Sequence, residues 1–410
     1  MPRVYLDHAA TTPLLPQAIE AMTEQMSRGG NPSSLHSSGR AARASVEYAR
    51  EHIARLAGCD AAEIIFTSGG TEADNLAIKG LYWKQQQTRP SAKRIIVSAI
   101  EHHAVSDSVE WLETQEGAQI TWLQPDAQGL ISPAQVEEAI QADPESVALI
   151  TVMWANNEVG TIQPIREIAA LAARYGIPFH TDAVQAFGSI PVNFKESGAS
   201  TMAISAHKMG GPMGIGALIA SRSTQLTPLL HGGGQERSVR SGTIDAASIV
   251  GFGAAAAQVS QGLLAEAQRQ AQLRDQLIQG IQAAIPQAQL QGAAPEETQD
   301  RATGDFTRLP GNVHFTFPGC EGDSLLFLLD MAGIDSSTGS ACNAGVPRPS
   351  TVLLAMGLSE EEARGAQRFT LGHTSSQEDV TALLSALPAA WEQARKAGMA
   401  GQVLDQDRWS

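Results

Sequence analysis

The sequence is poor in cysteine and in positive charge, and each shortage excludes a class of protein. Three cysteines among 410 residues (Cys59, Cys320 and Cys342) are too few for a disulfide framework, and no Cys-x-x-Cys pair suggests zinc. Lys and Arg number 28 against 43 Asp and Glu, which gives a formal net charge of −15. A surface that acidic repels phosphate backbones, so we expect no direct nucleic-acid partner.

Long apolar runs are also missing. No stretch of about 18 uninterrupted apolar residues occurs, so the sequence predicts no membrane span and no membrane partner. The first ten residues carry Arg3, Asp7 and His8 where a secretory signal would need an apolar segment. With 43% hydrophobic and 17% charged residues the composition is typical of a globular protein, and we expect a cytoplasmic enzyme.

Short β-branched runs alternate with helical patterns between residues 63 and 220, which indicates an α/β fold with a mainly parallel sheet. Residues 64–66 form the first predicted strand, and a helical face of apolar residues follows it, with the spacing Ala73, Leu76, Ala77, Gly80 and Leu81. Further strands are predicted at 94–98, 147–153, 178–181, 201–205 and 214–220.

The pattern changes after residue 242, which predicts a smaller α+β domain at the C-terminal end. Residues 246–285 carry no strand signal, and we expect a long helix there that links two domains. Ser359 and Glu362 form a capping-box pattern at the start of a later helix. The predicted division is an N-terminal segment (1–15), a large domain (16–260) and a small domain (261–410).

Polar residues follow the predicted strands at the edge where α/β sheets bind ligands. A Gly-rich turn at 67–72 precedes a helix, whose N-terminus could hold a phosphate. Asp182 and Lys208 follow two later strands. Taken singly, the turn could be only a turn, Asp182 a helix cap and Lys208 a solvated lysine. Together they match what pyridoxal phosphate requires: an amine for its aldehyde, a carboxylate for its ring nitrogen and a phosphate site.

Nine motifs, in order along nearly the whole chain, resemble those of the cysteine desulfurases, which are class V aminotransferase-like enzymes of fold type I that use pyridoxal 5′-phosphate. The motifs lie at residues 5–13, 30–34, 67–75, 101–105, 156–160, 182–185, 205–208, 240–243 and 339–342.

The resemblance implies a role for each matching residue. Lys208 would bind the cofactor aldehyde, Asp182 its ring nitrogen, and His102 would stack on the ring. The remaining contacts would fall into three groups: Gln185 and Asn157 at the ring substituents; Gly70, Thr71, Ser205 and His207 at the phosphate; and Thr243 at the phosphate of the other subunit of a homodimer. Arg368, with Asn31 and Asn157, would bind the carboxylate of L-cysteine.

Cys342 lies in a Gly-, Pro- and Ser-rich stretch (334–350) that predicts a mobile loop. Its neighbours cannot bury it well, whereas we expect Cys59 and Cys320 to be small buried residues. The resemblance implies that the Cys342 thiolate takes sulfur from the substrate as a persulfide. It also implies transfer to an acceptor protein, such as an iron–sulfur scaffold, for cluster assembly or tRNA thiolation.

Two alternative interpretations of the function stay open at this point. Another class V enzyme, such as a selenocysteine lyase or a transaminase, would share the cofactor site, although a transaminase would not need a loop cysteine. A catalytically silent scaffold would be expected to lose Lys208, Asp182 or Cys342, and all three are present. No metal is expected, because Glu101, His102 and His103 have no further ligand at a fixed spacing.

Overall fold

A computed structural model describes residues 3–296, 304–339 and 349–406, with side chains described up to residue 396. Its centre is a seven-stranded sheet. The strands are β2 (Ile64–Thr67), β3 (Arg94–Ser98), β4 (Gln119–Leu123), β5 (Val147–Thr151), β6 (Phe179–Asp182), β7 (Thr201–Ser205) and β8 (Gly216–Ala220).

The strand order is β2-β8-β7-β6-β5-β3-β4. Strands β4, β3, β5, β6 and β7 are parallel, and only β8 runs in the opposite direction, between β7 and β2. The mainly parallel α/β sheet is therefore confirmed, and the reversed β8 is an addition to it. The six strands that share one direction bring their carboxyl ends to one edge.

Helices cover both faces of this sheet. The predicted apolar face after β2 is confirmed, because all five of its residues are buried in the helix Gly70–Thr88. The helices of this part are α1 (Pro16–Arg28), α2 (Ser37–Ala57), α3 (Gly70–Thr88), α4 (His103–Glu116), α5 (Pro133–Gln141), α6 (Ile165–Arg174) and α7 (Phe194–Ser197).

The stretch 246–285 is helical and contains a long helix, as expected, but it is divided into two parts. The chain forms two helices, α8 (Ala246–Ser260) and α9 (Leu263–Ala284), which meet at an angle of 76°. Gly262 caps α9 with φ −146° and ψ 18°, a non-helical conformation that ends the continuous helix. The lack of a strand signal was a correct indication of helix, but it could not locate the break.

The C-terminal part has a hydrophobic core of its own. Its sheet has the order β12 (Ala366–Thr370), β10 (Asn312–Thr316) and β9 (Gln289–Leu290), and Val4 and Leu6 from the N-terminal segment pack into the same core. The capping box at Ser359 and Glu362 is confirmed. The domain boundaries themselves stay a prediction. The elements are β1 (Val4–Tyr5), β9 (Gln289–Leu290), β10 (Asn312–Thr316), α10 (Gly322–Met331), β11 (Ile334–Asp335), α11 (Thr351–Ala355), α12 (Glu360–Arg364), β12 (Ala366–Thr370) and α13 (Gln377–Gln406).

Across the described ranges, no one helix has both the length and the apolar character to cross a membrane. The bent pair α8 and α9 meets that test only when its two members are taken together.

Candidate active site

Two charged residues stand side by side at the carboxyl edge of the large sheet. Asp182 is the last residue of β6, and Lys208 ends a short 3-10 turn that follows β7. Strands β6 and β7 are parallel neighbours, with Asp182 opposite Ala203. The sequence prediction that these two strand ends meet is therefore confirmed.

The amine of Lys208 lies in a largely desolvated position. Its Nζ donates to the carbonyl oxygens of Ala9 at 2.7 Å and Ala10 at 2.8 Å. Desolvation and the nearby Arg368 lower the pKa of Lys208 to about 8, against the opposing effect of Asp182. A substantial neutral fraction of this amine is therefore present near pH 8, which suits it to act as a nucleophile or base.

The Asp182 carboxyl is buried and only partly compensated. Its Oδ1 accepts a hydrogen bond from the backbone N–H of Val184 at 2.8 Å. Burial raises its pKa, while His102 and Lys208 act in the opposite direction. A cationic group placed against this carboxylate would relieve the desolvation.

His102 caps the N-terminus of α4 with its imidazole. Its Nδ1 accepts the backbone N–H of Ala104 at 3.1 Å, so the proton of the neutral ring lies on Nε2. Desolvation lowers the pKa of His102, and Lys208 and His103 lower it further against the effect of Asp182. His103 contacts Asp107, and both histidines are exposed, so exposure does not separate them.

A glycine-lined cradle lies at the N-terminus of α3. A Cβ on Gly70 would lie 2.7 Å from Cγ2 of Val184, and one on Gly216 would lie 2.7 Å from the carbonyl carbon of Gly69. No side chain caps this helix, so the N–H groups of its first turn are open to an anion. Thr71 is exposed in that first turn, and Ser205 is buried at the end of β7 beside it.

Arg368 on β12 extends its guanidinium between two anchors. Nη1 donates to the carbonyl oxygen of Asn157 at 2.7 Å, and Nη2 donates to Oδ1 of Asp7 at 3.1 Å. Gln185 and His207 contact the same N-terminal segment as Lys208. Gln185 donates to the carbonyl oxygen of Ala9 at 3.0 Å. His207 contacts the Thr11 hydroxyl, and desolvation lowers its pKa to about 4.

Two predicted site residues are not joined to this cluster. Asn31 is exposed and uses its Oδ1 to accept the N–H of Ser33, and Thr243 is exposed before α8. In the parts of the chain that the structure covers, no hydrogen bond connects either residue with Lys208, Asp182 or their neighbours. Their predicted roles stay predictions.

Of the three cysteines, Cys342 lies outside the described residues. Cys320 is buried and Cys59 is partly buried, and desolvation raises the pKa of each thiol to about 12. Neither is thus a ready source of thiolate. Described residues on both sides of the segment 340–348 lie at Glu158: Gly339 packs near its Oε2, and Ser350, two residues after the segment, donates its hydroxyl to it.

The sequence reasoning missed several buried polar groups around these residues. Asp74 and His180 form a fully buried pair, with Nε2 of His180 3.2 Å from Oδ1 of Asp74. Glu101 accepts the N–H of Met153 at 2.7 Å, and burial raises its pKa well above the usual range. Asp7 lies in one of the nine motifs, but nothing local indicated its partner 361 residues away.

Within the described residues, no three His, Cys, Asp or Glu side chains are grouped so that they could hold a metal ion. The polar groups that do converge are an amine, a carboxylate, an imidazole and a guanidinium.

Comparison with known proteins gives a consistent assignment. The family model "Aminotransferase class-V" matches residues 4–383. The chain is 52% identical to the "IscS-like cysteine desulfurase" of Mycobacterium tuberculosis, over 97% of this chain and 98% of that protein. It is 43% identical to "Cysteine desulfurase IscS" of Dictyoglomus turgidum, over 96% and 95% of the two chains.

Solved structures agree in fold and length. The NifS-like protein of Rickettsia africae superposes with a TM-score of 0.82 at 33% identity, over 95% of this chain and 99% of that one. SspA, solved in complex with cysteine, superposes with a TM-score of 0.73 at 37% identity, over 90% and 98%. The chain therefore belongs to the class V aminotransferase family and, within it, to the group of the IscS-like cysteine desulfurases.

Proposed function

We propose that the protein is a pyridoxal 5′-phosphate-dependent cysteine desulfurase that converts L-cysteine to L-alanine and retains the sulfur as a persulfide on Cys342. The observation that carries the proposal is the convergence of Lys208, Asp182 and the α3 cradle on one sheet edge, in a chain that matches cysteine desulfurases over almost its whole length.

The residues present fit the cofactor. The cradle at Gly70 and Gly216 has no room for side chains, which is what close approach of a phosphate to backbone N–H groups needs. Thr71 and Ser205 lie at this cradle, and His207 would join them at the phosphate. Asp182 is a buried carboxylate, no cationic side chain of the described residues is in hydrogen-bond contact with it, and it would pair with a protonated ring nitrogen. When bound, pyridoxal phosphate supplies an electron sink for the carbon that loses its proton.

Lys208 would hold the cofactor and then serve as the base at the substrate Cα. Its lowered pKa favours the neutral amine that both tasks require. His102, whose Nε2 carries the proton in the neutral ring, would lie on the ring face. Gln185 and Asn157 would contact the ring substituents.

Arg368 would bind the substrate carboxylate, with Asn157 and Asn31 assisting. A guanidinium suits this task because it can donate two parallel hydrogen bonds to one carboxylate. Within the described residues each terminal nitrogen of Arg368 uses one N–H on its anchors, so the second N–H of each would be available to a ligand.

The transfer of sulfur to Cys342 needs no external oxidant or reductant. The Cys342 thiolate attacks the substrate sulfur, a new S–S bond forms, and the substrate Cβ–S bond breaks. The carbon fragment takes up a proton at Cβ and leaves as L-alanine, while Cys342 retains the persulfide. A thiol or acceptor protein then removes the outer sulfur.

We place this enzyme in the cytoplasm as a homodimer, in which the exposed Thr243 would reach the phosphate of the partner's cofactor. The physiological acceptor would be a protein such as an iron–sulfur scaffold, serving cluster assembly or tRNA thiolation. Measuring mass in solution and persulfide transfer to such scaffolds tests both statements.

The central test uses three variants of the purified holoenzyme. We expect Cys342→Ala to keep the visible absorbance of the bound cofactor and to release no sulfide from L-cysteine under reductant. Lys208→Ala should lose that absorbance. Cys59→Ala is the matched control, since its thiol has a raised pKa, and it should behave as the wild type. Full sulfide release by Cys342→Ala would overturn the persulfide role.

A further inference from the structure

We propose that Asp7 is a positioning residue that aims the Arg368 guanidinium at the substrate carboxylate. The inference rests on the proposed function, because it takes Arg368 as the carboxylate-binding group. The two side chains are joined by an ion pair of 3.1 Å between Nη2 and Oδ1, in which Arg368 is 6% exposed and Asp7 is 22% exposed.

The guanidinium is held from two sides. Asn157 O, between β5 and α6, takes one N–H of Nη1, and Asp7 takes one N–H of Nη2. Because these acceptors belong to separate parts of the chain, they fix the plane of the guanidinium as well as its position. Nε is buried and has no hydrogen-bond partner in the described ranges, so none of these residues gives a third anchor. Loss of Asp7 would leave the plane free to rotate about the remaining contact.

Asp7 is itself held rigidly to the strand that carries Arg368. Its backbone forms a β-bridge with Thr370. The N–H of Thr370 donates to the carbonyl oxygen of Leu6 at 2.7 Å, and the Thr370 hydroxyl accepts the N–H of Ala9 at 2.9 Å. The carboxylate is therefore fixed relative to Arg368, two residues before Thr370 on β12. A rigid acceptor can orient the guanidinium, whereas a flexible surface acid would not.

The same short segment also holds the other end of the site. The carbonyl oxygens of Ala9 and Ala10 accept from Lys208, so residues 7–10 contact both the amine and the guanidinium. An α-amino acid must present its amino group to one and its carboxylate to the other. Residues 7–10 thus fix the spacing of the two groups, and Asp7 sets the orientation at the carboxylate end.

The test is equilibrium binding of two amines to the holoenzyme, followed through the absorbance of the bound cofactor. L-Alanine has the carboxylate and has no sulfur to lose, whereas ethylamine lacks the carboxylate. We expect Asp7→Ala to weaken L-alanine about 10-fold to 100-fold, as for one charged hydrogen bond, and to leave ethylamine unchanged. Asp7→Asn keeps an acceptor at the same place and should recover most of the affinity. With L-cysteine, the loss should appear in KM more than in kcat.

The matched control is Asp335→Ala. Asp335 anchors the same N-terminal segment through Arg3 at the surface and does not touch Arg368, so L-alanine affinity should stay at the wild-type value. Equal weakening of both amines by Asp7→Ala, or no weakening of either, would overturn the role of Asp7 and leave the proposed function standing. A wild-type protein without cofactor absorbance would overturn both.

Discussion

Replacing Glu236 by alanine removes the carboxylate of a buried ion pair that connects α2, β2 and the segment of Glu236 itself. Its carboxylate accepts Nη1 and Nη2 of Arg50 on α2, both at 2.9 Å, and the backbone N–H of Phe66 on β2 at 3.0 Å. The pair is almost fully buried, with side-chain exposures of 9% for Arg50 and 4% for Glu236. Glu236→Ala therefore leaves an arginine without its main counter-charge.

We expect the free energy of unfolding to fall by about 3 to 5 kcal/mol, the usual cost of breaking a buried pair from one side. Urea unfolding with linear extrapolation measures it. Glu47 provides the control, because it contacts the same Arg50 at 3.2 Å but is 49% exposed. Glu47→Ala should cost about 1 kcal/mol or less. Equal losses in the two variants would refute the argument that burial decides the difference.

Two further predictions concern the cradle and a buried histidine. Gly216→Ala should weaken cofactor binding and cost about 1 to 3 kcal/mol of stability, because its Cβ would meet the backbone of Ile204 at 2.6 Å and of Gly69 at 2.7 Å. Wild-type stability and affinity would contradict this. Among the described residues neither ring nitrogen of buried His314 has a hydrogen-bond partner, and desolvation lowers its pKa to about 3. Below about pH 6.5 only the unfolded chain takes up this proton, so stability is lost as the pH falls toward 3. The stability of His314→Leu relative to the wild type should rise by about 1.4 kcal/mol per pH unit over that range, and a pH-independent difference would contradict the assignment.

Much of the large domain could be predicted from local pattern. The sequence pattern predicted β2, β3, β5, β6 and β7 nearly to the residue, because each is a short buried run of apolar and β-branched residues. The direction of β8 could not be predicted, because a strand buried on both faces has the same apolar sequence pattern whether it is parallel or antiparallel to its neighbours. The α8–α9 break depended on a single glycine in a helix-compatible stretch.

The candidate site could likewise be predicted only in part. Asp182 and Lys208 could be predicted because strand ends in such sheets meet at one edge. The partner of Asp7 could not, because no local pattern encodes a contact across 361 residues. The role of Cys342 rests on the family resemblance and on composition, since it lies outside the described residues.

The attachment of the N-terminal segment to β12 has a consequence for biosynthesis. Val4, Leu6 and Asp7 leave the ribosome long before their partners: Val4 pairs with Ile334, and Leu6 and Asp7 contact Thr370 and Arg368, which are made some 360 residues later. At about 5 to 20 residues per second, that delay is about 20 to 70 s. Until β12 is made, the core that Val4 and Leu6 enter is incomplete, and Arg368 is missing from the neighbourhood of Lys208. Binding of the cofactor should therefore follow the end of translation, and nascent chains cut short of β12 should fail to retain it.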